Sequence, residues 1–306
     1  SACTGDVRVI SQNIRGDEIS VTVSVDVLPN GCELSCNKRH VNRIIATDFA
    51  FEYPEQLSNE ELNILRFKTA AEITKFINKR NSVIALSADM DFPYASAKKA
   101  PEPYFDKISG DLLFGKISGT SKAPYVLSGV YRDIGIRLAS NQPQRTIQID
   151  AYLHEGYSGK LISSKSFNTT ALNDERVSKI YVIGSPEFYG TKFGTHWKKS
   201  LDEVADWAVE QSNCLPMVAR IARFNAKQIT ISMGLDSGMS EGDIVYVILS
   251  NSNSMMTNKG KFIEEDKKTT LNLLVRSIGV DYIVLEAIDK VDFRVKLQVG
   301  DIILIQ

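Results

Sequence analysis

The sequence predicts an α+β fold in which helices cover a mixed sheet, followed by a small all-β, barrel-like domain. Three observations predict it. Strand-like runs and helical stretches alternate from residue 44 and then give way to an antiparallel meander ending near 167. A stretch opening at Ser58 carries both a helix-start signal and an apolar stripe. After Cys214 the pattern changes to short strands separated by turn residues, the rhythm of a small barrel.

In chain order, Val21, Val23, Val25 and Val27 alternate with Thr22, Ser24 and Asp26, a half-buried strand. Arg15-Gly16-Asp17 joins it to the Val7–Ile14 run as a hairpin, and Pro29-Asn30-Gly31 breaks the pattern. Residues 1–37 are too few for an independent domain and read as the β-rich remnant of a larger N-terminal unit. Ser1-Ala2-Cys3-Thr4-Gly5 lacks both an initiator Met and the order of a signal peptide, so the sequence reads as processed or trimmed.

Residues 38–213 hold the α/β part. Ile44–Phe51 is strand-like, and Ser58 with Glu61 forms a capping box opening a helix. Its stripe is Leu62, Leu65, Phe67, Ala70, Ile73, Phe76 and Ile77. Val83–Leu86 is a short buried strand, and 101–114 a second helix bearing Tyr104, Ile108, Leu112 and Leu113. Tyr125–Leu138, Arg145–His154 and Lys160–Phe167 are strands, with Glu155–Gly159 as a turn. Gly184, Pro186, Gly190 and Gly194 loosen the next stretch. Helical spacing returns at Ser200–Gln211, with Ser200 and Glu203 as a second capping box.

Residues 214–306 make the barrel-like domain. Its strands are Val218–Arg223, Gln228–Met233, Ile244–Leu249, Leu271–Ile278, Tyr282–Ile288 and Ile302–Ile305. Glu241-Gly-Asp-Ile-Val245 is echoed by Val299-Gly-Asp-Ile-Ile303, and Gly-Asp before a strand suits a tight turn. Asn251–Lys268 is polar and reads as a long mobile loop containing Met255 and Met256.

Chemistry is sparse along this chain. Its 36 basic and 37 acidic residues give a net charge of −1, without general attraction to nucleic acid or an anionic membrane. No run of about 18 apolar residues is present to span a bilayer. The stretch from Gly184 to Lys192 has five residues between its glycines where a phosphate loop needs four, and reads as an ordinary glycine-rich loop. His154-Glu155 begins like a zinc-protease motif, but Ser158 stands where the second His belongs. His40, His154 and His196 are therefore read as surface or turn residues. Trp197 and Trp207 read as packing anchors. No catalytic, cofactor-binding or metal-binding residue is assigned, and the chain is read as no enzyme. Cys32 and Cys36 lack a second Cys/His pair for zinc. An oxidising compartment would permit up to two disulfides among Cys3, Cys32, Cys36 and Cys214, in any of three pairings.

Three stretches carry a family resemblance. Arg43-Ile-Ile-Ala-Thr-Asp-Phe49 with the Ser58 helix is the first. Tyr125-Val-Leu-Ser-Gly-Val-Tyr131 through Ile134, with the Ile147–Leu153 and Lys160–Phe167 strands, is the second. Cys214-Leu-Pro-Met-Val-Ala-Arg220, Ile229-Thr-Ile-Ser-Met-Gly234 and Gly238-Met-Ser-Glu-Gly-Asp243 make the third. Together they resemble the flagellar assembly protein T (FlgT) family of polar, sheathed-flagellum bacteria. Its middle domain is itself similar to the N-terminal domain of TolB, and its C-terminal domain is a small β-barrel.

The resemblance covers roughly residues 40–306. It implies a periplasmic, structural protein that builds the outer (H) ring of the flagellar basal body and supports assembly of the motor rings. Implied partners are other copies of the chain, the L/P ring and other periplasmic motor-ring proteins. It also implies disulfides, Cys36 with Cys214 flanking the TolB-like part and Cys3 with Cys32 left over. A ring subunit needs aromatic anchors within a polar rim, for which the turn residues Phe92, Tyr94, Phe188 and Tyr189 are the candidates. The alternative is a TolB-like periplasmic binding or scaffold module unconnected with flagella.

Overall fold

The computed structural model describes residues 7–15, 18–25, 41–88, 123–139, 142–156, 159–172, 183–213, 215–249, 255–256, 262–263, 269–288 and 297–305. The chain divides into two units, Ser1–Lys38 and Arg39–Gln306. In the first, β1 (Val7–Arg15) and β2 (Glu18–Val25) pair antiparallel, with Arg15 opposite Glu18 and a register shift between Val9 and Ser11. The alternation of valines is thus realised as a hairpin.

In the second unit β3 (Asn42–Phe51) is an interior strand of a mixed sheet. Ser58 then caps α1 (Asn59–Asn78): its side chain accepts from the Glu61 N–H, and the Glu61 carboxylate accepts from the Ser58 N–H at 2.9 Å. The capping box is therefore real. After α1 comes β4 (Val83–Ser87), parallel to β3 on one side, while β5 (Tyr125–Asp133) is parallel to β3 on the other. β6 (Ile136–Ala139), β7 (Gln142–Glu155) and β8 (Leu161–Leu172) complete the meander. β7 pairs antiparallel with β5 and β6 along one edge and with β8 along the other. Across the sheet the order is β4, β3, β5 with β6, β7, β8.

The expected strand Tyr125–Leu138 is two strands, because a side chain distant in sequence binds the backbone between them. The Gln56 amide donates to Asp133 Oδ1 at 2.9 Å and accepts from the Ile134 N–H at 2.9 Å, while Gly135 N–H also donates to Asp133 Oδ1. These bonds divert the N–H groups of Ile134 and Gly135 from the ladder, while the Gly135 carbonyl still accepts from Thr146 N–H at 3.1 Å. The stripe of α1 also needs one correction. Phe67 is 62% exposed, because two residues beyond Leu65 the helix has turned about 200°. Thr69 is the buried member instead. The predicted helix at 101–114 lies outside the described residues.

The next elements are a short helical turn, α2 (Pro186–Tyr189), and α3 (Lys192–Ser212). Ser200 was expected to open this helix, but it is buried in its interior, and the N-cap is Thr191, whose hydroxyl accepts from Gly194 N–H at 2.9 Å. Gly194, read as loop punctuation, is a contact point: a Cβ there would lie 2.0 Å from the Phe188 carbonyl oxygen. Helices α1 and α3 lie side by side on the sheet, α1 over β3 and β4, α3 over β7 and β8. Their shared core includes Phe49, Leu65, Ile73, Leu127, Ile149, Leu153, Trp197 and Leu201.

The barrel is built from β9 (Met217–Phe224), β10 (Gln228–Ile231) and β11 (Ile244–Leu249), then, after a small ladder, three further strands. The ladder pairs β12 (Met255–Met256) with β13 (Phe262–Ile263), so the segment expected as a loop carries a hairpin. The remaining strands are β14 (Thr269–Ile278), β15 (Ile283–Ala287) and β16 (Ile302–Ile305). The six close in the order β10-β15-β14-β11-β16-β9, every pair antiparallel. Alternation decides the interior: Val245 and Val247 point in, while Ile244 and Tyr246 are exposed.

The echoed Gly-Asp segments are equivalent turns. Gly242 and Gly300 have φ of +92° and +96°. Asp243 Oδ2 accepts from Ser240 N–H, and Asp301 Oδ2 from Gln298 N–H, each at 2.8 Å. Gly242 N–H donates to the Val275 carbonyl and Gly300 N–H to the Ile221 carbonyl. The strands that follow, β11 and β16, pair with one another. The barrel therefore has a two-fold internal likeness that runs through its hydrogen bonds.

Sheet and barrel are joined. The Asn42 amide donates to the carbonyls of Ser212 at 2.8 Å and Leu215 at 2.9 Å, Val41 N–H donates to the Ser237 carbonyl, and Arg43 pairs with Asp236. Val218 is buried in the helix-and-sheet core, and Ile302 and Leu304 pack against it.

Candidate assembly surface

Of the residues singled out by sequence, Cys3, Cys32, Cys36, Cys214, Phe92, Tyr94 and His40 lie outside the described residues. Phe188 and Tyr189 are described. Ser185 caps α2, its hydroxyl accepting from Phe188 N–H at 3.2 Å. The glycine-rich stretch therefore holds a helical turn, which tucks Phe188 beneath α3. Its ring meets those of Phe193 and Trp197 edge-on, at 5.5 and 5.7 Å, and is 3% exposed. As folded, Phe188 offers no face to a partner. Tyr189 is half-buried, lies nearly parallel to Trp197, and has Lys198 Nζ 5.6 Å from its ring centre. Burial, and then the charge of Glu72, push its phenol up to about 12.

Behind this cluster is a buried polar pin. Trp197 Nε1 donates to the Tyr131 hydroxyl at 2.9 Å, and that hydroxyl bonds Thr69 Oγ1 at 2.7 Å. One oxygen thus ties α3, β5 and α1 together. Tyr131 stacks on Phe51 at 4.7 Å, and burial raises its phenol above the usual tyrosine range. Trp207 meets Phe167 edge-on at 6.1 Å. Both tryptophans pack the core, as expected.

Of the two described histidines, one differs from expectation. His196 is on the α3 surface, its Nδ1 2.8 Å from the Lys192 carbonyl oxygen. His154 is 1% exposed, because strand β7 carries it into the sheet opposite Val126. On the same side of the sheet, Arg132 holds Asp150 at 2.6 Å, Glu52 at 3.1 Å and the Tyr152 hydroxyl at 2.8 Å. Arg132 is consequently held protonated well above the ordinary arginine range despite the cost of burial. Among the described residues no group of three or more His, Cys, Asp or Glu is placed to hold a metal ion, and no helix is long and apolar enough to cross a membrane.

The sheet's two outer edges are what sequence reasoning missed. At β4 the Asn78 side chain copies a strand: its Nδ2 donates to the Ala85 carbonyl at 3.0 Å, and its Oδ1 accepts from Ala85 N–H at 2.8 Å. The edge is plugged at its middle residue. β8 is 12 residues long and pairs, among the described residues, only with β7. Ser164, Lys165, Ser166, Asn168 and Thr170 are exposed along it. The strand at Val83–Leu86 is legible in the sequence, but the cover that Asn78, the last residue of α1, places on it is not. On the barrel, apolar residues are exposed at turns: Val280 at 76%, Val299 at 67% and Leu235 at 66%.

Residues 35–181 match the family model for flagellar assembly protein T, middle domain. No curated protein matches the chain by sequence. Among solved structures, a hypothetical protein from Chlamydia trachomatis is similar at 9% identity and a TM-score of 0.42, covering 56% of this chain and 97% of that one. A lipoprotein from Neisseria meningitidis is similar at 13% identity and a TM-score of 0.31, covering 54% and 99%. TolB from Acinetobacter baumannii gives 11% identity and a TM-score of 0.27, covering 80% and 57%. Likenesses this distant carry no inference about what the chain does.

Proposed function

The chain belongs to the flagellar assembly protein T family through residues 35–181 and so serves flagellar assembly, and we propose that it does this as a structural component of the basal body in the periplasm. In this reading it builds the outer (H) ring of a polar sheathed flagellum and supports the motor rings. Its partners are other copies of itself, the L/P ring and periplasmic motor-ring proteins. It works by binding and not by catalysis. Residues 38–213 and 214–306 act as two domains, and an oxidising periplasm closes Cys36 to Cys214 and Cys3 to Cys32.

The family match carries the proposal. Its physical support is a molecule whose described polar clusters, Arg132 with Asp150 and Tyr131 with Trp197, are spent on holding strands and helices together. The test is deletion of the gene in its native host, with electron microscopy of isolated basal bodies. A missing outer ring, restored on complementation, is the expected result. Intact rings and normal swimming would remove the flagellar claim, and envelope leakage beside intact flagella would favour a TolB-like scaffold.

A further inference from the structure

We propose that the outer edge of β8 pairs antiparallel with the same strand of a second copy, joining two mixed sheets into one. The inference rests on the reading that copies of the chain associate, and it adds a two-fold contact that closes at two copies, beside the head-to-tail contact that a ring requires. An exposed strand edge is a row of unsatisfied main-chain donors and acceptors that templates another strand, and proteins ordinarily shorten, charge or cover such edges. The sheet treats its two edges unequally. β4 has five residues, and Asn78 occupies both main-chain groups of Ala85 at its middle. β8 has 12 residues and a single charged side chain, Lys165.

The identity of the occupant follows from that asymmetry. A neighbouring copy cannot continue the sheet by offering β4, because Asn78 already stands in the place of a partner strand. The strand left to it is β8, which pairs with itself about a two-fold axis normal to the sheet. That symmetry keeps the helices of both copies on one side and sets each residue against one that points the same way. Pairing centred on Ser166 places Lys165 opposite Phe167 and Ser164 opposite Asn168. Pairing centred on Phe167 places Lys165 opposite Thr169. Neither register sets Lys165 against itself, so the strand's one charge does not oppose the contact. The remaining side chains of the exposed row, Ser164, Ser166, Asn168 and Thr170, are small and neutral.

Sedimentation velocity on the full chain, from micromolar to millimolar concentration, tests this. The expected result is a reversible dimer, with amide hydrogen exchange in β8 slowing as concentration rises. Ser164→Lys combined with Asn168→Lys sets like charges opposite or diagonal in either register, twice by symmetry, and should weaken association about tenfold. Ser164→Lys combined with Asn168→Glu sets opposite charges there and should restore it. Both positions are exposed, and circular dichroism verifies that each variant is folded. A chain that stays monomeric throughout, or a dimer indifferent to the paired lysines, would overturn the β8 interface. Either result leaves the flagellar reading to be judged by the basal bodies of the deletion strain.

Discussion

The open sheet and the closed barrel of the Arg39–Gln306 unit bury apolar residues by different means. The barrel gives every strand two neighbours and has no edge, and its buried core is aliphatic with methionine, from Met217 and Ile221 to Ile303 and Ile305. The sheet keeps two edges and gathers its buried aromatic rings under α1 and α3, among them Phe49, Tyr131, Phe188, Phe193, Trp197 and Trp207. The difference teaches where each half is vulnerable. Closure spreads the barrel's stability over six similar ladders, whereas the sheet depends on a few large rings that clamp its helices. It also shows where contact with another chain is available: main-chain groups on the sheet, side chains on the barrel.

Breaking the clamp should have the largest effect. Trp197→Ala removes a fully buried ring and its bond to Tyr131, and is expected to cost about 3–5 kcal/mol in denaturant unfolding. A cost below about 1 kcal/mol would show that the helices are held by something else. Tyr131→Phe is milder. It leaves the ring in place but removes the hydroxyl, so Trp197 Nε1 loses its buried acceptor, while Thr69 keeps its bond to the Leu65 carbonyl at 2.6 Å. The expected loss is about 1–3 kcal/mol. If both variants cost the same, the polar bond and not the ring is the clamp.

The two halves were not equally legible in the sequence. Each barrel strand shows itself by alternation or by an apolar run between turn residues, and Gly-Asp marks two of the turns, so local signals almost sufficed. The capping box at Ser58 was equally plain, because its donors and acceptors are three residues apart. What failed in the sheet depended on distant partners. Gln56 ends β5 from more than 70 residues away. Gly194 is a miss of another kind: it lies only about six residues past Phe188, and the helix needs a glycine there because a Cβ would meet the Phe188 carbonyl oxygen at 2.0 Å. The stripe through Phe67 is drawn too wide, and His154 does lie at a strand end but is buried there, because it has Val126 on one side and Leu161 on the other. Edges are invisible for the same reason: a strand does not reveal which of its sides remains unpaired.

The internal likeness of the barrel offers a finer comparison. An added Cβ at Gly242 or Gly300 would meet nothing within 4 Å, so Ala at either site tests the left-handed backbone alone. Gly242→Ala and Gly300→Ala should each cost about 1–2 kcal/mol, and by nearly equal amounts. Thermal or denaturant melts of the pair decide it. Unequal losses would mean that the two turns share hydrogen bonds without sharing a mechanical role.

The smallest change in stability should come from the guarded edge. Asn78→Ala removes two hydrogen bonds to Ala85, but Asn78 is itself exposed and water can take its place there, so the expected cost is about 1 kcal/mol. Its effect on association should be greater than its effect on folding. With Ala85 uncovered, β4 gains the main-chain groups that β8 already presents, and head-to-tail pairing of β8 with β4 becomes possible between copies. Two-fold pairing stops at two copies, whereas head-to-tail pairing continues. Sedimentation velocity of Asn78→Ala should therefore show species larger than a dimer. If the variant assembles no further than the unaltered chain, the plug at β4 is a helix-end hydrogen bond and nothing more.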